Sequence, residues 1–162
     1  MVRRGTENSV RSVVGESQQS RPARLVVRQF QKKDQQEVTD LWLEVFPDDP
    51  PWNKPRAIIH RKLAIQSDLF WVGSHRGKIV ATVLAGYDGH RGWIYHLAVA
   101  PSHRRKGFAR KIMIAAETRL KELGCPKINL QVRTSNEAVV RFYQNMGYAT
   151  EERISMGKRL HR

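Results

Sequence analysis

The chain has 162 residues, of which 40% are hydrophobic and 27% charged, a composition that suits one domain of roughly 100–200 residues with its own core. Its 29 Lys and Arg against 15 Asp and Glu give a formal net charge of +14, which favours a nucleic acid, an anionic membrane or a phosphate-rich cofactor as partner. No apolar run reaches the roughly 18 residues that span a bilayer, and the N-terminus lacks the apolar core of a secretory signal. The single cysteine, Cys125, excludes an internal disulfide and a metal-binding cysteine cluster. We therefore expect a cytoplasmic protein with no membrane partner and no metal site.

The first part of the chain divides into a tail and the start of a domain. Residues 1–23 are rich in Ser, Gln, Gly and Arg without a sustained period, which predicts a flexible tail before a single domain over residues 24–162. A strand is predicted for Arg24–Phe30, and a helix follows from Asp34, which we expect to cap it together with Glu37. The prolines of residues 47–51 end that helix.

The middle of the chain predicts a second helix and three strands. Pro55, just inside the start, favours a helix that reaches about Gln66. Strands are predicted for residues 69–74 and 78–87, joined near Arg76-Gly77 as a hairpin, and for residues 93–99. The glycine-rich segment Asp88–Gly92 lies between the last two strands and predicts a turn.

The last third is more regular. A helix is predicted for residues 107–123, with a buried stripe of five apolar side chains: Ile112, Ala115, Ala116, Leu120 and Leu123. A strand over 127–133, a helix over 136–146 and a closing hairpin within 148–160 follow. The resulting order β-α-α-β-β-β-α-β-α-β-β predicts an α/β (α+β) fold with a mixed central sheet of about six to seven strands and about four helices.

The junction between the strand over 93–99 and the next helix carries the most informative chemistry. The first N–H groups of a helix lack internal partners and form the positive end of its dipole. Gly107 permits an anion to approach the backbone closely, and Ala109 keeps the next approach point small. Basic side chains surround this point: Arg104, Arg105, Lys106, Arg110 and Lys111. The spacing is compatible with a phosphate site and equally with a solvated, basic first turn.

The pattern Arg104-x-x-Gly107-x-Ala109 resembles the acetyl-CoA pyrophosphate loop of the GNAT (Gcn5-related) N-acetyltransferases. A second match to that family lies downstream, where Asn136 is followed by Tyr143 and then by the run Asn145–Tyr148. The resemblance covers about residues 24–160. The segments Pro51-Trp52-Asn53, Gly86–Gly92 and Ser155–Leu160 look like those of the small bacterial acetyltransferases of the YpeA type.

The resemblance implies the GNAT fold and acetyl-CoA as the acetyl donor. The backbone amides of Arg105 to Ala109 (Arg105, Lys106, Gly107, Phe108 and Ala109) would hold its pyrophosphate, and Arg104 is a further cofactor-binding residue. Leu97, Ala98 and Val99 would pair with the pantetheine arm, in a slot between two strands that splay apart, and an N–H near Leu97 or Val99 would act as an oxyanion donor. Asn136 would help to fix the cofactor.

The same resemblance implies direct attack of an amine on the thioester, with Tyr143 as the general acid that protonates the departing thiolate. The general base is less defined, because the strand over 93–99 carries no acid and Gln131 stands where related N-terminal acetyltransferases commonly have glutamate. His96 is the only side chain on that strand of a type that normally titrates near neutrality, and it is our candidate base, although a hydrogen-bonded strand histidine explains it equally well. A water chain to Asp88 or His90 is the other option.

The acceptor side is only outlined. Asp88, His90 and Arg91 precede the cofactor strand, and Trp52 lies between the first two helices, where the family often borders its acceptor groove. We interpret these four as substrate-binding candidates, with a polar turn and a core tryptophan as the alternatives. The acceptor would be an amine of a small molecule or of a protein, and the family's C-terminal strands suggest a homodimer.

A second hypothesis is an inactive GNAT-like module that binds acyl-CoA or RNA. The +14 charge and the missing carboxylate base motivate it. Aromatic residues are sparse among the basic ones apart from Phe108, which disfavours a base-stacking surface for nucleic acid.

Overall fold

The fold is built around one five-stranded sheet. The structure is a computed structural model that describes residues 24–160. The predicted tail, residues 1–23, lies outside the described residues. The strands lie in chain order across the sheet: β1 (Val26–Gln29), β2 (Phe70–His75), β3 (Lys78–Tyr87), β4 (Gly92–Val99) and β5 (Ile128–Asn129). Neighbours from β1 to β4 are antiparallel, whereas β5 runs parallel to β4. The α/β class with a mixed sheet is therefore confirmed.

Four helices cover the two faces of this sheet. Their bounds are α1 (Gln35–Val45), α2 (Pro55–Ala64), α3 (Phe108–Glu122) and α4 (Glu137–Gln144). One buried cluster joins α1 and α2 to the sheet around Trp42 and Phe70, and the other joins α3 and α4 to it around Ile112 and Tyr143. β3 is buried over most of its length because both clusters pack against it. Among residues 24–160, no helix is long and apolar enough to cross a membrane.

The sheet has fewer strands than predicted, because the C-terminal part of the chain is less regular. Of the strand predicted for 127–133, only Ile128–Asn129 pairs with a neighbour. The predicted closing hairpin is wrong: residues 149–159 have no regular secondary structure. Ile154 and Met156 are each 91% exposed, so their apolar side chains gain no burial, and the segment pairs with no strand of the sheet.

Two local predictions also need correction. Asp34 does not cap α1: its carboxylate pairs with Arg28 at 2.6 Å and accepts the N–H of Gln31 at 2.8 Å, at the start of a short 3-10 turn. Along α3, Leu123 is 38% exposed and does not extend the buried stripe, while Met113 is fully buried. Leu123 follows the last helical residue, where the backbone has left the helical path.

Candidate functional site

A cleft opens where β4 and β5 part. The two strands pair only at Gly92–Ile128 and Trp93–Asn129, after which the chain over 130–133 diverges from β4. The space between them has a volume of about 880 Å³. Residues of β4 line one wall, residues 131–133 line the other, and the starts of α3 and α4 close the end. The slot that the resemblance implied between these strands is therefore present.

A β-bulge shapes the wall of the cleft at His96. Thr82 of β3 stands opposite Ala98, but Leu84 stands opposite Tyr95, so β4 has one residue more than β3 in this interval. His96 adopts a positive φ of 47°. The hydroxyl of Thr82 donates to the His96 carbonyl at 3.1 Å and accepts the indole N–H of Trp42 at 2.8 Å. These two bonds hold the bulge against α1.

The turn into α3 exposes a row of backbone donors. Arg105 and Gly107 both have positive φ, 59° and 76°. Gly107 is the N-cap residue of α3, and it has no side chain that could accept one of the first helical N–H groups. Within residues 24–160, the N–H groups of residues 105–110 find no hydrogen-bond acceptor. A Cβ at Gly107 would meet nothing within 4 Å, so an anion can reach these amides.

The cations near this turn fall into two groups. Arg104, Arg105 and Arg110 line the cleft. Lys106 bonds the carbonyl of Ser102, outside the cleft, at 3.0 Å, and Lys111 points away to the carbonyl of Leu25. Three arginines beside unpartnered amides at a helix N-terminus suit a diphosphate in charge and in geometry.

Tyr143, near the C-terminal end of α4, lines the cleft. Only 7% of it is exposed, its ring packs edge-on against Phe142 and Tyr148, and its hydroxyl makes no hydrogen bond to residues 24–160. Burial raises the pKa of Tyr143 to about 12, so the phenol is protonated at neutral pH. Asn136, which also lines the cleft, accepts the N–H of Val139 at 3.4 Å and thereby caps α4.

A carboxylate that sequence reasoning missed lies beside His96. The Nε2 atom of His96 is 3.6 Å from an oxygen of Asp49, and the other oxygen of Asp49 is 3.7 Å from Arg133. Burial lowers the pKa of His96 and Asp49 opposes that shift. From the sequence, the proline-rich segment around Asp49 indicates only the end of a helix. Its two adjacent acids, Asp48 and Asp49, both line the cleft and were the available signal.

Most of the residues assigned to the cofactor or to catalysis line the cleft. They are His96, Leu97, Val99, Arg104, Arg105, Gly107, Phe108, Ala109, Asn136 and Tyr143. Lys106 does not line it, and Ala98 is buried on the opposite face of the sheet among the residues around Trp42.

The four candidates for acceptor binding lie outside the cleft. The Asp88 carboxylate accepts the backbone N–H groups of His90 and Arg91 at 2.8 and 2.7 Å, which lower its pKa and close a turn. Trp52 is 51% exposed, with the guanidinium of Arg159 at 4.1 Å from its ring centre. Substrate roles for these residues remain predictions.

Comparisons with known proteins agree with this geometry. The Acetyltransferase (GNAT) family matches residues 35–148. An acetyltransferase of Yersinia pestis is 44% identical over 134 residues, which are 83% of this chain and 94% of that protein. One from Pectobacterium atrosepticum is 43% identical over the same shares of the two chains.

The solved structures share the fold at lower identity. Aminoglycoside N-acetyltransferase AAC(6')-Iy in complex with CoA superposes with a TM-score of 0.71 at 18% identity, over 88% of this chain and 99% of that one. Because the family match covers more than half of the chain and the relatives exceed 40% identity, the protein is an acyltransferase, with acetyl-CoA as its acetyl donor. The chain belongs to the GNAT family of acetyltransferases.

Proposed function

We propose that this protein transfers the acetyl group of acetyl-CoA to a primary amine by direct attack, with donor and acceptor held together in the cleft. The observation that carries the proposal is the arrangement of that cleft. It runs from unpartnered amides and arginines at the start of α3, between the parted strands, to a histidine and a carboxylate beneath α1. AAC(6')-Iy has been solved with a bisubstrate analog, CoA-S-monomethyl-acetylneamine, which joins both substrates in one molecule and supports direct transfer for this fold.

The donor end is the start of α3. The amides of residues 105–110 and the guanidinium groups of Arg104, Arg105 and Arg110 would hold the diphosphate. The edge of β4 that faces the cleft around Leu97 and Val99 would pair with the pantetheine amides as a neighbouring strand does. When bound, acetyl-CoA supplies an activated acetyl thioester, so the protein needs no nucleophile of its own.

Two side chains move the protons of the reaction. His96 has a lowered pKa because it is buried, so it is neutral at physiological pH and can accept a proton from the attacking amine. The new C–N bond forms as the C–S bond breaks. Tyr143 then donates its hydroxyl proton to the departing sulfur and is restored from solvent. An N–H of β4 near Leu97 or Val99 would bind the developing oxyanion.

The acceptor end is acidic, in contrast to the donor end. Asp48 and Asp49 line the cleft beside His96, and carboxylates favour a protonated amine over a neutral or anionic substrate. Three of the arginines that contribute to the +14 net charge lie at the donor end. A diphosphate there would explain part of the positive charge without a nucleic-acid partner. The acceptor class is therefore a cationic primary amine.

The proposal is tested by incubating the protein with acetyl-CoA and a panel of amines: polyamines, aminoglycosides and peptides with free N-termini and lysines. Mass spectrometry would report the transfer of one acetyl group, and a thiol reagent would report release of CoA. We expect turnover with at least one cationic amine and its loss in Tyr143→Phe. A folded protein that fails to bind acetyl-CoA would overturn the proposal.

A further inference from the structure

The segment between α1 and α2 fixes Asp49 at the cleft. Phe46 follows the last residue of α1, and the N–H of Asp49 donates to the Phe46 carbonyl at 3.2 Å. Pro47 lies within this turn, while Pro50 and Pro51 follow it, and all three restrict the backbone φ angles of the segment. The Asp49 side chain, 24% exposed, is therefore held by a stiff turn.

The ring of His96 is enclosed by α1 and by Asp49. Trp42 lies 4.6 Å from the imidazole centre and Phe46 lies 5.3 Å from it, edge-on. Neither of these two aromatic side chains has an atom that could accept a hydrogen bond from an imidazole N–H. Nε2 faces Asp49, whereas Nδ1 makes no hydrogen bond to residues 24–160.

The charged groups that face His96 come from two elements. The segment between α1 and α2 brings Asp49, with Asp48 next to it, and Lys54, which lines a small pocket together with His96 and Asp49. The segment after β5 brings Arg133, which reaches Asp49. The side chains that pack on the ring itself, Trp42 and Phe46, are uncharged. Asp49 is thus the one carboxylate in contact with the ring among the described residues.

We infer that Asp49 is the positioning residue of the proton acceptor, a role that no comparison assigns. Its carboxylate, 3.6 Å from Nε2, attracts a proton to that atom and thereby favours the tautomer in which Nδ1 carries the lone pair. Nδ1 takes the proton of the attacking amine, directly or through one water molecule, and Asp49 stabilises the imidazolium that forms. Arg133 lies 3.7 Å from the second oxygen of Asp49 and helps to orient the carboxylate. This inference rests on the proposed function, because it names the partner of the group that receives the proton.

The test compares Asp49→Asn with Glu44→Gln. Asparagine has nearly the same shape as aspartate and keeps an oxygen that can face Nε2, but it has no charge. The substitution therefore isolates the effect of the negative charge on His96. Glu44 lies exposed on α1, outside the cleft, and its substitution removes the same unit of charge. The first readout is the imidazole titration of His96 by NMR in the resting full-length protein, which needs no acceptor. We expect Asp49→Asn to lower this pKa by about one unit and Glu44→Gln to leave it unchanged.

The second readout is the pH profile of kcat/KM with an amine that the panel identifies. The acidic limb should move to lower pH in Asp49→Asn, with kcat about tenfold lower and the Kd for acetyl-CoA unchanged. A raised KM for the amine with an unmoved limb would mean that Asp49 only binds the ammonium, which would overturn the inference.

The NMR titration also separates the two proposals. An unchanged His96 pKa in Asp49→Asn refutes the pairing whatever the activity. A lowered pKa in a protein that does not bind acetyl-CoA retains the pairing and refutes the proposed function.

Discussion

Replacing Gly107 by alanine tests the donor end of the cleft with a magnitude that the structure supplies. Gly107 has a φ of +76°, and a Cβ there would meet nothing within 4 Å. The free-energy cost to the fold is therefore backbone strain alone, roughly 1–2 kcal/mol for an L-residue in the left-handed region. For a domain of this size, that cost lowers Tm by about 2–8 °C.

The effect on binding should exceed the effect on the fold. The added methyl group occupies the open space beside the amides that would hold the diphosphate, and the loss of one charge-assisted contact is worth about 1.5–3 kcal/mol. We expect the Kd for acetyl-CoA, measured by isothermal titration calorimetry, to rise at least about tenfold.

Gly124→Ala is the matched control. Gly124 has a φ of +78° and equally open space around its Cβ, but it follows the C-terminal end of α3, away from the cleft. Its substitution should lower Tm by a similar amount and leave the Kd unchanged. Equal affinities of the two variants for acetyl-CoA would refute the assignment of the α3 N-terminus to the diphosphate.

Three further substitutions test the remaining chemistry and the packing that supports it. Tyr143→Phe should lower kcat by about 10²-fold or more with little change in the free energy of unfolding, because the hydroxyl has no hydrogen-bond partner among residues 24–160; an unaltered kcat would show that Tyr143 is not the acid. Asp34→Asn should destabilise the protein by about 2 kcal/mol at pH 7 in urea denaturation. Because Arg28 holds the pKa of Asp34 below its ordinary value, this contribution is complete above that value and is lost as pH falls through the lower folded-state pKa. The difference from the unsubstituted protein should therefore shrink as the pH falls below the ordinary pKa of an aspartate, and a constant difference would contradict the pairing. Thr82→Val removes the acceptor of the buried Trp42 N–H and should cost about 1–3 kcal/mol in the same denaturation assay, whereas a neutral effect would show that this bond does not support the bulge.

Elements with strong local signals were predictable from the sequence. The turn Arg76-Gly77 joins β2 and β3 as predicted, with both residues at positive φ, because the turn and the alternation of apolar residues are properties of adjacent residues. The start of α3 after Gly107 was also predictable, because a glycine that follows a strand and precedes an amphipathic run is a local pattern. The β2–β3 hairpin forms part of the five-stranded sheet, and the start of α3 lies beside the cleft that β4 lines.

The parts that depend on distant residues were not predictable. Asp49 and His96 are 47 positions apart in the sequence, and no local pattern predicts that the bulge in β4 turns the ring toward α1. The C-terminal segment has strand-like residues such as Ile154, but a strand also needs a partner, and residues 149–159 have none within residues 24–160. Asp34 had the spacing of a helix cap, yet the guanidinium of Arg28, on the neighbouring strand, competes for its carboxylate.

The most direct test of the central claim is an NMR titration of the full-length, ¹⁵N-labelled protein with acetyl-CoA. If the cleft holds the donor, the largest amide shifts will fall at residues 105–110 and at Leu97 and Val99, with smaller changes around Asp88–Arg91, outside the cleft. Saturable binding that shifts other surfaces and leaves the α3 N-terminus unchanged, or no binding by the folded protein, would contradict the account.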